Sequence, residues 1–182
     1  MSKLSTLGWT RSAALGAIAA VTLYRILPHL PNLSPVGAMF VLGGLYLGRN
    51  IAWMAAPFAG LLISDAVLDL AYNGQPFYAG RLFEYGAFLA IGLAARFVAT
   101  RPVAARIGVM LAAPFAFFLI SNFGVWAGGG YPHTPAGLAE CYTAALPFFR
   151  GTLFGDWLFA GAGMLMLEGL RRREGRASVA IA

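Results

Sequence analysis

The segment AARIGVMLAAPFAFFLISNFGVW, residues 104–126, carries a single charge, Arg106, near its start. A run of about 20 predominantly apolar residues is what an α-helix needs to cross the ~30 Å hydrocarbon core of a bilayer. Five more apolar runs surround it, at 12–27, 35–48, 51–71, 82–99 and 144–169. The first two are short and predict tilted or partial spans. Turn-forming residues separate the runs. Pro28, Pro31 and Pro35 follow the first, and Ser34-Pro35 reads as an N-cap with proline at the first helical position. Gly48-Arg49-Asn50, Asn73-Gly74-Gln75-Pro76 and Thr100-Arg101-Pro102 mark the next connections, and Gly128-Gly129-Gly130 opens a long loop over about 127–143. Continuous apolar runs, rather than alternating ten-residue segments, disfavour a β-barrel. The expected fold is an all-α integral membrane protein, one transmembrane domain of about six helices with a basic tail over 170–182.

Composition agrees. Of 182 residues, 59% are hydrophobic and 11% charged, and mean hydropathy is +0.72. Soluble domains carry about 25% charged residues, so this chain lacks the polar coat of a soluble fold. Disorder requires the opposite composition. The net charge of +6, from 13 Lys+Arg against 7 Asp+Glu, is scattered singly between apolar runs. It forms no basic face for nucleic acid. Six spans with a cytoplasmic amino terminus put ten basic residues inside (Lys3, Arg11, Arg49, Arg96, Arg101, Arg106, Arg171, Arg172, Arg173, Arg176) and three outside (Arg25, Arg81, Arg150). That bias follows the positive-inside rule and predicts cytoplasmic termini. Lys3 and Arg11 ahead of Ala13–Val21 also resemble a cleavable signal, which would leave five spans with the same carboxy-terminal side. Arg25 and the proline-rich loop that follow argue for a retained span.

Ionisable groups in apolar segments are costly and mark pairing or function. In this arrangement Asp65, Asp69, Glu84, Glu140 and Asp156 lie outward or near mid-membrane, with Arg25, His29, Asn32, Arg81, Asn122, His133, Cys141 and Arg150. Asp65 and Asp69, four apart, share a helix face near its carboxy-terminal end, where the helix dipole disfavours carboxylates. They need a cation, and Arg25, Arg81 and Arg150 are on that side. A substrate or cation site and a structural ion-pair network are both open. Glu84 suits the start of its helix, whereas Asp156 calls for an arginine or a ligand. Arg150 is a candidate clamp for an anionic group. Trp126, Tyr131 and Tyr142 offer aromatic surface, with belt anchoring the alternative for Trp126.

The lone Cys141 permits no internal disulfide. His133, Glu140 and Cys141 lack the paired spacing of a zinc site, so no metal or cofactor is expected. No phosphate-binding loop, nucleotide motif or HExxH occurs, so no enzymatic activity and no internal energy source are expected. Ala13, Gly16, Ala17 and Ala20 form overlapping small-xxx-small pairs, suited to close helix packing within the protein or onto a partner.

Three stretches carry a family likeness: RILPHLPNLSPVGAMFVLGGLYLGR (25–49), LLISD (61–65) and SNFGVWAGGGYPHTPAGLAECYTAALPFFR (121–150). From residue 25 to about 165 the chain resembles an uncharacterised family of small bacterial membrane proteins assigned to transport. That family is in turn similar to the substrate-binding S components of energy-coupling-factor vitamin transporters. The resemblance implies a multi-pass protein of the bacterial cytoplasmic membrane that takes up a small nutrient, a vitamin-like or precursor molecule. It implies an outward pocket closed by the loop after helix one, here 28–35 with His29 and Asn32. It also implies docking through Ala13, Gly16, Ala17 and Ala20 onto a transmembrane coupling subunit driven by ATPases. Together these readings nominate Arg25, His29, Asn32, Asp65, Asp69, Asn122, Trp126, Tyr131, Tyr142, Arg150 and Asp156 for substrate binding. A membrane metal-handling protein or enzyme and a structural membrane subunit are the alternatives.

Overall fold

Val36–Tyr46 is eleven residues long and every one of them is buried, including Met39 and Phe40 at about 1% exposure or less. At 1.5 Å per residue it extends about 16 Å, half a bilayer core. This short apolar helix, α2, packs against all five other helices. They are α1 (Lys3–Ile26), α3 (Ala55–Leu68), α4 (Arg81–Val98), α5 (Val103–Val125) and α6 (Pro135–Ala180). The computed structural model describes residues 3–27, 33, 35–48, 54–73 and 81–180, and among these the regular secondary structure is all helical. Single π-helical turns extend α3 over Asp69–Asn73 and α5 over Trp126–Gly130.

Four helices follow their apolar runs closely, whereas α1 begins at Lys3 rather than 12 and α6 runs over Pro135–Ala180 rather than 144–169. The loop expected over 127–143 shrinks to Tyr131–Thr134, and α6 begins at Pro135. Thr134 is the reason. Its hydroxyl accepts the Gly137 N–H at 3.1 Å and its carbonyl accepts the Leu138 N–H at 2.9 Å. It is therefore an N-cap, followed by proline at the first helical position, where the missing N–H costs nothing. The 46 residues of α6 extend for about 69 Å, well beyond a bilayer core.

Among the described residues, two helical stretches are long and apolar enough to cross a membrane, Val103–Gly130 and Pro135–Glu174. Three of the others fall short for visible reasons. α2 has eleven residues, and α3 has fourteen before its π turn. α4 carries Arg81, Glu84 and Arg96 within eighteen residues.

The expected Ser34 cap of α2 lies outside the described residues. The cap that is seen comes from another helix. Asp156 of α6 accepts the Ala38 N–H through Oδ1 at 3.0 Å, and its Oδ2 lies against Gly37. Any Cβ at Gly37 would overlap that carboxylate. Further along α2, a Cβ at Gly44 would overlap the Gly92 carbonyl, so glycine lets α2 and α4 approach closely. The opposite end of α2 is also tied to α6, through the Tyr46 hydroxyl donating to Glu168 at 2.9 Å.

Gly37→Ala is expected to lower the thermal unfolding midpoint of the detergent-solubilised protein, by overpacking worth about 1–3 kcal/mol. Gly161→Ala in α6, which meets open space, is expected to be neutral or stabilising by up to about 1 kcal/mol. Equal midpoints for the two variants would contradict the Asp156 cap.

Candidate functional site

Three chain segments deliver charge to one end of the bundle. α1 ends on Arg25, where a cation suits the negative helix terminus. α3 and its π turn carry Ser64, Asp65 and Asp69, all buried. α4 opens with Arg81 and, one turn on, Tyr85.

Their side chains interlock. Arg25 Nη1 donates to Asp65 Oδ1 and, at 2.6 Å, to the Ser64 hydroxyl. The other oxygen of Asp65 accepts the Tyr85 hydroxyl at 2.7 Å and lies 3.1 Å from Arg81 Nη1. Arg81 Nη2 donates to Asp69 Oδ1 at 2.5 Å. The order Arg25, Asp65, Arg81, Asp69 alternates in sign and sums to zero. That is the arrangement in which buried charges offset one another's desolvation. Of the three arginines expected to compensate the aspartates, Arg25 and Arg81 do so, while Arg150 is exposed on α6.

Beside this cluster lies a cavity of about 140 Å³, bordered by Arg25, Gly37, Glu84, Phe88, Thr152 and Asp156, with Val36 and Phe117 completing the wall. Phe88 and Phe117 stack with centroids 4.6 Å apart. By water's share of liquid volume, about 30 Å³, the space corresponds to roughly four or five waters. One cavity thus joins a guanidinium, two carboxylates, a hydroxyl and two phenyl rings at the amino terminus of α2.

The sequence-nominated residues divide into groups. Arg25, Asp65 and Asp69 come together, and Asp156 shares the cavity with Arg25. Asn122, Trp126 and Tyr142 instead fasten α5 to α6. Asn122 Nδ2 donates to Phe118 O within α5 at 2.8 Å, and the Asn122 backbone carbonyl accepts the buried Cys141 thiol of α6 at 3.4 Å. Trp126 Nε1 donates to Pro132 O at 3.0 Å, and the His133 ring lies 2.9 Å from Trp126 O. The Tyr142 hydroxyl donates to Leu119 O at 2.6 Å. These three, with Tyr131 in the α5–α6 turn and Arg150, stand outside the cavity wall. His29 and Asn32 lie outside the described residues. Ala13 and Ala17 pack toward the core, whereas Gly16 and Ala20 are exposed.

Thr152, Phe88, Phe117 and Tyr85 were not nominated. A spacing signal existed for three of them: Thr152 precedes Asp156 by four, Phe88 follows Glu84 by four and Tyr85 follows Arg81 by four, each pair on one helix face. Among the described residues no group of three or more His, Cys, Asp or Glu side chains could hold a metal ion.

The fold and site define an all-helical protein with a charged cluster and small cavity at one end of its bundle. The chain belongs to DUF6580, a family of unknown function, whose pattern matches residues 7–177. No curated protein and no solved structure matches it.

Removing Arg81 takes one of two arginines from Asp65 and an ion-pair partner from Asp69, both buried, and is expected to destabilise by about 3–5 kcal/mol. In a double-mutant cycle, Arg81→Gln with Asp69→Asn should recover part of that loss, with a coupling of about 0.5–3 kcal/mol. Additive effects on the unfolding midpoint would show that the two side chains do not act as a pair.

Proposed function

We propose that the chain is a multi-pass membrane subunit that captures a small polar nutrient from the outer side for uptake. The observation that carries this reading is the cavity beside Arg25, where charge of both signs and aromatic surface meet inside an otherwise apolar bundle. Intramembrane ionisable groups of this kind usually line a substrate path.

Membrane embedding is supported by what the bundle leaves uncovered. Leu165, Leu70, Leu82, Phe97 and Trp9 are each more than 70% exposed, on α6, the π turn after α3, α4 and α1. Apolar surface on so many helices suits lipid on every side rather than one protein partner. The six-span arrangement also matches how helix ends meet. Thr10 of α1 reaches Glu174, Tyr46 of α2 and Arg106 of α5 reach Glu168, and Arg96 of α4 reaches Gly48 O. These gather at one end the termini that the positive-inside count places in the cytoplasm. Arg25, Asp65 and Arg81 gather at the other.

The cavity is smaller than the roughly 300–1,000 Å³ of drug-sized sites. It suits a compact solute, or the compact head of a larger one. Arg25 is already engaged by Asp65, while Glu84 and Asp156 add carboxyl oxygens to the wall. A neutral or positively charged hydrogen-bond donor fits this lining better than a polyanion. With no nucleotide motif in the chain, uptake would draw on a coupling subunit with ATPases, for which the exposed Gly16 and Ala20 of α1 offer a close-approach surface.

One observation favours a structural reading instead: the four charges are paired with one another along the chain Arg25–Asp65–Arg81–Asp69 and sum to zero. Mass spectrometry of small molecules released from the mildly purified protein, with thermal unfolding against vitamins, precursors and small amines, separates the two. Capture predicts a ligand whose hundredfold excess over Kd stabilises by about 2.7 kcal/mol. Thr152→Val or Glu84→Gln should abolish that response. No released molecule and no shift across the panel would leave the structural reading standing and end this one.

A further inference from the structure

A second cavity, of about 530 Å³, lies at the opposite end of the bundle, where α1, α2, α4 and α6 meet. Its wall holds three guanidinium groups, Arg11, Arg96 and Arg171, and one carboxylate, Glu174, while Glu168 beside the wall pairs with Arg106 and lies 3.8 Å from Arg171. The Glu174 carboxylate already serves Thr10, accepting its N–H at 3.0 Å and its hydroxyl at 2.7 Å. Arg96 spends one N–H on Gly48 O at 2.7 Å, and arginine carries five such donors. The wall is therefore electropositive and rich in forked donors, the chemistry that matches phosphate oxygens.

The remaining wall is apolar and leads outward. Leu93 and Phe97 border the cavity and are 41% and 73% exposed. They continue an exposed stripe with Leu82 and Leu89 along a single face of α4, since positions 7, 11 and 15 residues apart recur on the same side of a helix. A soluble anion would gain nothing from that stripe. An anionic amphiphile would use both surfaces.

We propose that this cavity seats the phosphate headgroup of an anionic phospholipid, with an acyl chain lying along α4. Arg96 and Arg171 hold the phosphate, and Leu93 and Phe97 guide the chain from the cavity mouth. The basic end of the protein then faces the leaflet whose lipids it binds, as basic pockets between transmembrane helices do. The inference rests on the membrane embedding proposed above and is independent of the solute at the other end.

The test uses the full chain in a neutral detergent, with native mass spectrometry and thermal unfolding. The probes are dioleoylphosphatidylglycerol, dioleoylphosphatidylcholine and inorganic phosphate. Phosphatidylglycerol should be retained, and should raise the unfolding midpoint more than phosphatidylcholine at equal mole fraction. Arg96→Gln with Arg171→Gln should weaken its retention at least tenfold. Arg172→Gln with Arg173→Gln, which removes the same charge from exposed positions beyond the wall, should leave retention unchanged. If the Arg96 variant fails to fold, Arg171→Gln alone should still cost several-fold. Equal retention of both lipids, or full retention by the wall variants, would overturn the site. A response to inorganic phosphate equal to that of phosphatidylglycerol would overturn the lipid assignment. A protein that stays monodisperse without detergent would instead overturn the membrane reading itself.

Discussion

The amino terminus of a helix has N–H groups with no partner inside the helix, and α2 carries that terminus into the interior of the bundle. The Asp156 carboxylate answers the problem from across the fold, accepting Ala38 N–H. An unpaired buried backbone group costs about 1–3 kcal/mol, so a fully buried α2 needs this contact as well as its apolar neighbours. The contact also constrains α6. Asp156 holds one end of α2 and Glu168 the other, through Tyr46. Twelve positions along α6 extend about 18 Å, close to the length of α2, so the two helices are held in one register.

Charge then organises around these fixed points. At the Asp156 end, Arg25, Asp65, Arg81 and Asp69 alternate in sign, and burial requires that they do. At the Glu168 end, Glu168 pairs with Arg106 and lies 3.8 Å from Arg171, while Arg11, Arg96 and Arg171 collect with Glu174 around a wider cavity. One end is neutralised internally; the other retains an excess of positive charge. The first arrangement suits a small solute held inside the bundle. The second suits an anion supplied from outside it.

The sequence made the elements legible and left the long-range pairings hidden, for a physical reason. A helix is encoded by residues within a few positions of each other, so apolar runs and their Pro and Gly interruptions locate all six helices, though not the extensions of α1 back to Lys3 and of α6 to Pro135 and Ala180. The need of Asp65 and Asp69 for cations was equally readable, because buried carboxylates must be paired whatever the topology. Asp156 was recognisable as costly but its partner was not, since Ala38 lies 118 positions away and offers a backbone group that no side-chain pattern announces. Trp126 and Tyr142 illustrate the converse. Their aromatic character was consistent with ligand contact, yet both spend their polar atoms on backbone carbonyls that fasten the start of α6 to the end of α5. The Thr134-Pro135 start of α6 was local and readable, but three glycines just before it masked the signal.

The shortness of α2 connects the fold to the site. A helix long enough to cross the core would end at the interface, where water satisfies its terminus and a capping carboxylate adds little. An eleven-residue helix ends inside, and the space beyond its first turn borders both the cap and the charge chain. The helix dipole there is positive, about half a charge, but Asp156 already occupies its axis. An incoming anion would meet a filled position. A donor group would meet Glu84 and Asp156, with the phenyl faces of Phe88 and Phe117 beside them, which aromatic contact with cations also favours. On the capture reading, the same interaction that makes the buried helix tolerable would also set the sign of what the cavity accepts.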